Sequence, residues 1–491
     1  MRLLFPLFLL SCTSGDLDSN DSHGVTVRLV NPTTADPMEG VAFLEIRLLS
    51  EDGGDLYTET FGIEDELSVP NLDYYGVIRF ELIGYDDDST VVSFGRSAEI
   101  AVVPNVDRTV QISFLPINQV LPLSSGFGEE RSFHSTTKAP DGRVLLVGGL
   151  NTARTGSLSS IEYYEPATGR FTTSAQFLSY ATSYPSLAWT SNEELLVSGG
   201  YGVVASTGSN TANLNLINPA SGEVRVLPSM GLARRDHCFK VFAGEYALAV
   251  SGTAQTAQGV EAVRPDPTTG TNWTWESYVP TDTGFQAYNV QSCGMTDDGR
   301  IFFQGTGSAS TGLFVYGGPG SSVGTGFSRV DYSLSESELA IHPYGANLLA
   351  VGPSSMWIGN GALNLDGDQD IQNDVATGFN RLFDMDTGVF VYGTGTSMSD
   401  RVWGVALPWI QSDVYAFACG GETADILNSP NQLVEIVDLA NDQIVLTTEL
   451  DRRRPGCSMD VLDDGSLLIT GGNEPGVEVF DGGAILVPYL D

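Results

Sequence analysis

The chain has 491 residues, of which 42% are hydrophobic, 17% are charged and 56 are glycine. That composition excludes a disordered protein and predicts many short strands and turns in more than one domain. Its 61 acidic residues against 23 basic ones give a net charge of −38, which excludes an ordinary nucleic-acid partner, because phosphates need clustered Lys and Arg, and repels an anionic membrane surface.

In chain order, the first segment is MRLLFPLFLLSC, in which Arg2 gives a positive start and Leu3 to Leu10 an apolar core. Leu9-Leu10-Ser11-Cys12 resembles the lipobox of bacterial lipoprotein signal peptides. The resemblance implies a leader over residues 1–11 that is cleaved, lipid on Cys12, and a cell-envelope location facing the periplasm or the exterior. Thr13 rather than Asp follows the cysteine, which by the same resemblance favours the outer membrane. The plainer reading is a secretory leader in which Cys12 is an ordinary residue. No later run reaches the ~18 apolar residues of a transmembrane helix, so lipid is the only membrane attachment expected. Residues 12–23 are polar and read as a flexible tether.

From residue 24 to 116 the pattern is alternation. Val25, Val27 and Leu29 are separated by Thr26 and Arg28, Ile78, Phe80 and Leu82 by Arg79 and Glu81, and Val110, Ile112 and Phe114 by Gln111 and Ser113. One face of each strand is therefore predicted buried and the other wet. About seven such segments, separated by turn signals such as NPTTADP and YDDDST, predict an immunoglobulin-like β-sandwich. It carries no evident chemistry, and its expected role is a spacer beneath the larger domain.

Residues 117–491 repeat themselves. DGRVLLVGG at 141–149 returns as DDGRIFFQG at 297–305 and DDGSLLITGG at 463–472: an Asp-Gly turn, an apolar strand and a closing glycine. The closing glycines are Gly149, Gly200, Gly252, Gly305, Gly352, Gly421 and Gly472, at steps of roughly 50 residues with one longer interval before Gly421. A hairpin follows most of them, as in IEYYEPATGRF at 161–171, LNLINPASGEV at 214–224 and VEIVDLANDQI at 434–444. Four strands per unit are those of a propeller blade, and the double glycine with its hairpin resembles the kelch repeat. The resemblance implies an all-β, seven-bladed kelch-like β-propeller over 117–491. Its second strands lie between neighbouring blades, which is why they are apolar on both faces. QVLPLSSGFGEERSFH at 119–134 echoes VRVLPSMGLARRDHCF at 224–239, so Gln119 to Leu123 is predicted as an outermost strand that completes the seventh blade.

Candidate site residues recur in the loops before the blades. Counting back from the closing glycine, Arg131, Arg234 and Arg454 stand at −18, and His134, His237 and Cys457 at −15. With Arg235, Arg452 and Arg453 they make a positive collar, which predicts bidentate recognition of a glycan, phosphate or acidic peptide. The competing reading is that repeated Arg and His brace adjacent blades. A second candidate lies in the long interval, where Asp366, Asp368, Asp370 and Asp374 in DGDQDIQND have the spacing of oxygen ligands around Ca2+. Ile371 stands where such loops carry glycine and no Glu closes the site, so a solvated acidic loop is the alternative.

Cys238, Cys293, Cys419 and Cys457 allow two disulfides by three pairings, and Cys419, inside an apolar run, also reads as a buried filler. Galactose-oxidase-like copper enzymes share the propeller but use two His and two Tyr ligands, whereas this chain has only His23, His134, His237 and His342. There is no G-x-S-x-G or zinc motif and no sialidase Asp box. The expectation is a monomeric surface lipoprotein that binds a protein or glycan ligand without catalysing a reaction. The alternative is a carbohydrate-active hydrolase, or another propeller enzyme, that uses carboxylates at the channel mouth.

Overall fold

The computed structural model describes residues 10–11, 25–65, 74, 76–103, 108–235, 237–242, 246–250, 260–265, 273–278, 293–296, 300–307, 310–317, 326–330, 341–351, 355–363, 375–376, 380–384, 389–392, 398–399, 401, 404–410, 413–421, 429–472 and 482–490. Among the described residues every element is a strand, and the chain is all-β. Cys12, the tether, His23 and Asp366, Asp368, Asp370 and Asp374 lie outside them.

The N-terminal region forms two sheets. In one, Val25–Val30 pairs in parallel with Arg108–Ser113, bringing the two ends of the region side by side, and Leu10–Ser11 adds to the free edge. The other runs Asp55–Gly62, Phe43–Ser50, Gly76–Tyr85, Val91–Arg96, Leu115–Pro116. Alternation sends Val27, Ile46, Ile78, Phe80, Leu82 and Ile112 into one shared core. The face predicted wet is not wholly so. Ile83, on the other side of Gly76–Tyr85, joins Phe94 and Leu115 in a core with Val144, Leu146, Leu468 and Ile485 of the repeats. Burying that second face ties the region to the larger one.

Among the described residues beyond 118 there are seven four-stranded antiparallel repeat sheets, one of them with a fifth short strand, and a separate hairpin of Tyr201–Val204 with Thr207–Asn210 is inserted in the second. Sheet 1 is Ser135–Lys138, Val144–Val147, Ser160–Glu165 and Arg170–Phe177, and sheet 2 starts with Ser186–Trp189 and Leu195–Ser198. Sheets 3 to 6 start with Cys238–Phe242, Cys293–Met295, Ile341–Val351 and Val405–Pro408. Sheet 7 comprises Cys457–Val461, Leu467–Gly471 and Gly482–Leu486, and its outermost strand is Val120–Gly126, from the other end of the chain. That strand was legible from the echo at 119–134. The first strands of sheets 1 and 2, 2 and 3, 4 and 5, 5 and 6, 6 and 7, and 7 and 1 lie in contact. Those of sheets 3 and 4 are joined by the Cys238–Cys293 disulfide.

Second strands are buried on both faces, every residue of Val144–Val147, Leu195–Ser198, Val414–Ala418 and Leu467–Gly471 being enclosed. Where such a strand ends, the next sheet presses on the backbone. Gly199 and Gly471 have left-handed backbones, with φ of 60° and 66°. A Cβ there would come within 2.5 Å of the Arg234 carbonyl oxygen and 2.6 Å of the Arg131 carbonyl oxygen, respectively. Close approach and positive φ together demand glycine.

Candidate functional site

The repeated Arg-x-x-His positions turn inward. Arg131 is 2% exposed, and it donates through Nη1 to the Gly148 carbonyl at 2.8 Å and through Nη2 to Ser160 Oγ at 3.0 Å. Its guanidinium forms an ion pair with Glu162, which also accepts from the backbone N–H groups of Gly128 and Glu129. Arg234 repeats the arrangement with Glu261 at 2.5 Å, and Arg454 reaches the Gly471 carbonyl at 2.9 Å while pairing with Asp451 at 2.7 Å. Burial lowers the pKa of Arg131 and of Arg234, and the glutamate partners pull it back. Each arginine therefore clamps its own sheet.

The residue three places on links that sheet to the one before. His134 Nε2 meets Thr470 Oγ1 of sheet 7 at 2.9 Å, and His237 Nε2 meets Ser198 Oγ of sheet 2 at 3.0 Å. Cys457 makes the same link covalently, to Cys419 of sheet 6. Cys419 is thus a disulfide partner and not the buried filler that its apolar surroundings predicted. Burial, reinforced by Arg131, holds His134 at a pKa of about 3, and burial with Arg234 takes His237 well below its ordinary value, so both are neutral.

Sequence reasoning missed two parts of this device. Arg401 pairs with Glu435 at 3.1 Å and donates to the Cys419 carbonyl at 2.8 Å, but stands 18 residues before that carbonyl where Arg131 stands 17 before its own. The partners Glu162, Glu261 and Glu435 also passed unnoticed. Their signal was a lone acid in an apolar third strand, as in IEYY, VEAV and VEIV. Sheet 2 does without the charge, since Thr182 Oγ1 donates to the Gly199 carbonyl at 3.0 Å and Asn215 replaces the glutamate.

Of the remaining collar, Arg235 lies over the Tyr201 ring at 4.5 Å, and Arg452 pairs with Asp451 at 2.9 Å. Arg453 is half-buried beside it.

At the opposite end of the same strands, the turns Asp141-Gly142 and Asp463-Asp464 and the hairpin end at Glu165 face Ile100, Thr109 and Gln111 of the N-terminal region. Between them lies a cleft of about 330 Å³. Asp141 accepts from Arg143 Nε at 2.9 Å and Nη2 at 2.7 Å, and the guanidinium is fixed over the Tyr163 ring at 4.6 Å. Burial works to raise Asp141, but the Arg143 hydrogen bonds and charge outweigh it and hold the carboxyl below its ordinary value. Asp464 goes the other way. Burial raises it, the neighbouring Asp463 charge adds to the rise, and hydrogen bonds from Ser466 with the Arg96 charge only partly offset it. Lys138 Nζ holds Asp463 at 2.6 Å on the rim. One cavity thus carries one carboxyl raised above its ordinary value and another held below it, an asymmetry that acid–base chemistry uses.

No protein-family model and no curated protein matches the chain. Among solved structures, it is similar to one described as a novel fungal alcohol oxidase with catalytic diversity among the AA5 family, in complex with copper. The TM-score is 0.52 at 14% identity, covering 74% of this chain and 75% of that one. The shared feature is the fold. The likeness corrects the sequence expectation of a scaffold that binds without catalysis, because the chain that shares the fold is an enzyme. Copper itself does not fit the described residues. His134 and His237 are neutral and committed to hydroxyl groups, all four described cysteines are in disulfides, and no group of three or more His, Cys, Asp or Glu is placed to hold a metal.

Proposed function

We propose that the chain is a carbohydrate-active hydrolase of the cell envelope. In this reading it is a lipoprotein lipidated at Cys12, with an immunoglobulin-like β-sandwich over 24–116 and a seven-bladed kelch-like propeller over 117–491. The circle of first-strand contacts and the closing strand Val120–Gly126 support seven blades. The single observation that carries the activity is the cleft in which Asp464 is raised and Asp141 lowered. Asp464 acts as general acid, passing its proton to the glycosidic oxygen as that bond breaks. Asp141 acts as general base, taking the proton of the water whose oxygen bonds to the anomeric carbon. Arg143 keeps Asp141 ionised and oriented. A positioned acid or base contributes about 10²–10⁴ in rate. Asp464→Asn should therefore lower the release of reducing ends from a glycan panel by at least about 10²-fold, with melting not lowered. Equal turnover by Asp464→Asn and wild type would refute the assignment.

A further inference from the structure

The glycine-pair end of the repeat sheets, opposite the cleft, carries a second cluster. Gly456, Phe133 and Tyr184 occupy one repeated position, two residues after Arg454, Arg131 and Thr182, and all three have left-handed backbones, with φ of 71°, 54° and 53°. The Phe133 N–H donates to the Gly456 carbonyl and the Tyr184 N–H to the Phe133 carbonyl, each at 2.8 Å, so the loops of sheets 7, 1 and 2 are tied in series. Left-handed backbone at a bulky aromatic is strained, and such strain collects at ligand clamps.

The strain sets a row of flat groups across the loops. The Phe133 ring lies so close to Gly456 that a Cβ there would come within 2.6 Å, and it stacks on Tyr184 at 4.8 Å and 30°. The Arg235 guanidinium follows, 5.9 Å from the Tyr184 ring and 4.5 Å from Tyr201. Tyr201 in turn packs against Gly208, where a side chain would collide with it. Arg154, itself at φ 54°, interacts with Tyr184, and Arg452 and Arg453 precede Gly456 in the same loop as Arg454. In a chain with a net charge of −38, these arginines share one end of the fold.

We propose that this row is a binding site for an acidic polysaccharide, one whose sugars carry carboxylates. Stacking uses the face of the Arg235 guanidinium and directs donation to its edge, where a carboxylate is taken bidentately. Tyrosines add hydroxyl groups suited to sugar hydroxyls. A neutral glycan would gain from the phenols but not from the arginines. The choice of a polysaccharide rests on the hydrolase reading, in which this site anchors a chain whose cleavage occurs at the other end of the fold.

The test is calorimetric titration of the full-length protein in detergent with an oligogalacturonate and with its methyl ester, which differs only by loss of charge. The acid is expected to bind and the ester at least tenfold more weakly. Arg235→Gln should lose at least tenfold for the acid, and Arg235→Lys, which keeps the charge but not the fork, should fall between. Arg154→Gln provides an independent variant should Arg235→Gln fold poorly by its melting curve. No binding of the acid, equal binding of acid and ester, or wild-type affinity in both glutamine variants would overturn the proposal. If wild type binds the acid with the expected preference but releases no reducing ends, the cleft reading fails while the binding site stands.

Discussion

Removing Arg131 is the sharpest perturbation of the fold. Arg131→Met takes the guanidinium from Glu162, which is 0% exposed, and leaves that carboxylate with only the N–H groups of Gly128 and Glu129 at 2.7 Å and 3.0 Å. The Gly148 carbonyl loses its 2.8 Å donor as well. Breaking a buried pair from one side costs about 3–5 kcal/mol, because a charge stays in the interior without its partner. At roughly 2 °C per kcal/mol for a large domain, melting should fall by about 6–10 °C. Removing both charges is gentler, and sheet 2 is the internal precedent, since Asn215 stands there where sheet 1 has Glu162. Arg131→Met/Glu162→Gln should recover at least half of the loss. Differential scanning calorimetry of the two variants decides the matter. A single variant that melts with wild type, or a double variant no better than the single, would refute the brace.

Asp460, enclosed between sheets 7 and 1, is pushed from 3.8 up to about 7 by burial, partly offset by Thr136 and Lys138. The folded protein therefore holds a proton that the unfolded chain has lost across that window, so stability falls as pH rises from 3.8 to about 7. The effect is on the order of 4 kcal/mol. Asp460→Asn should melt higher than wild type at pH 8 and show a flatter pH dependence, and parallel melting-versus-pH curves would refute this. Cys419 and Cys457 close a loop with a sequence separation of 38, so Cys457→Ser should cost roughly 4 kcal/mol by chain entropy, read as a lower urea midpoint; an unchanged midpoint would contradict it. Gly148→Ala drives a methyl into the Thr182 carbonyl at φ 64° and should cost at least about 2 kcal/mol, whereas Gly222→Ala, with open space around it, should cost about 1 kcal/mol from its left-handed φ of 73° alone.

The repeat was legible because its physics is local. A strand buried on both faces must be a continuous apolar run, and the backbone pressed by the next sheet must be glycine, as at Gly199 and Gly471. The closing strand could be read for the same reason, its sequence echoing that of other blades. The brace was half legible. Arg131, Arg234 and Arg454 stood out by spacing, but whether they face solvent or the interior depends on Glu162, Glu261 and Asp451, a choice that spacing alone does not carry. The cleft could not be read at all. Asp141 and Asp464 look like ordinary turn acids, and only docking of the strands around Ile100 and Thr109 encloses the volume they line. Carboxylates are common in this chain, and the pair differs from the rest only through burial and Arg143.

The measurement that tests the hydrolase reading most directly is reducing-end release from acidic and neutral polysaccharides by wild type, Asp464→Asn and Asp141→Asn under one set of conditions. Release by wild type that falls at least about 10²-fold in both variants, each still folded by its melting curve at the assay temperature, is the predicted result. No release by wild type from any glycan, or release that survives in both variants, would contradict it.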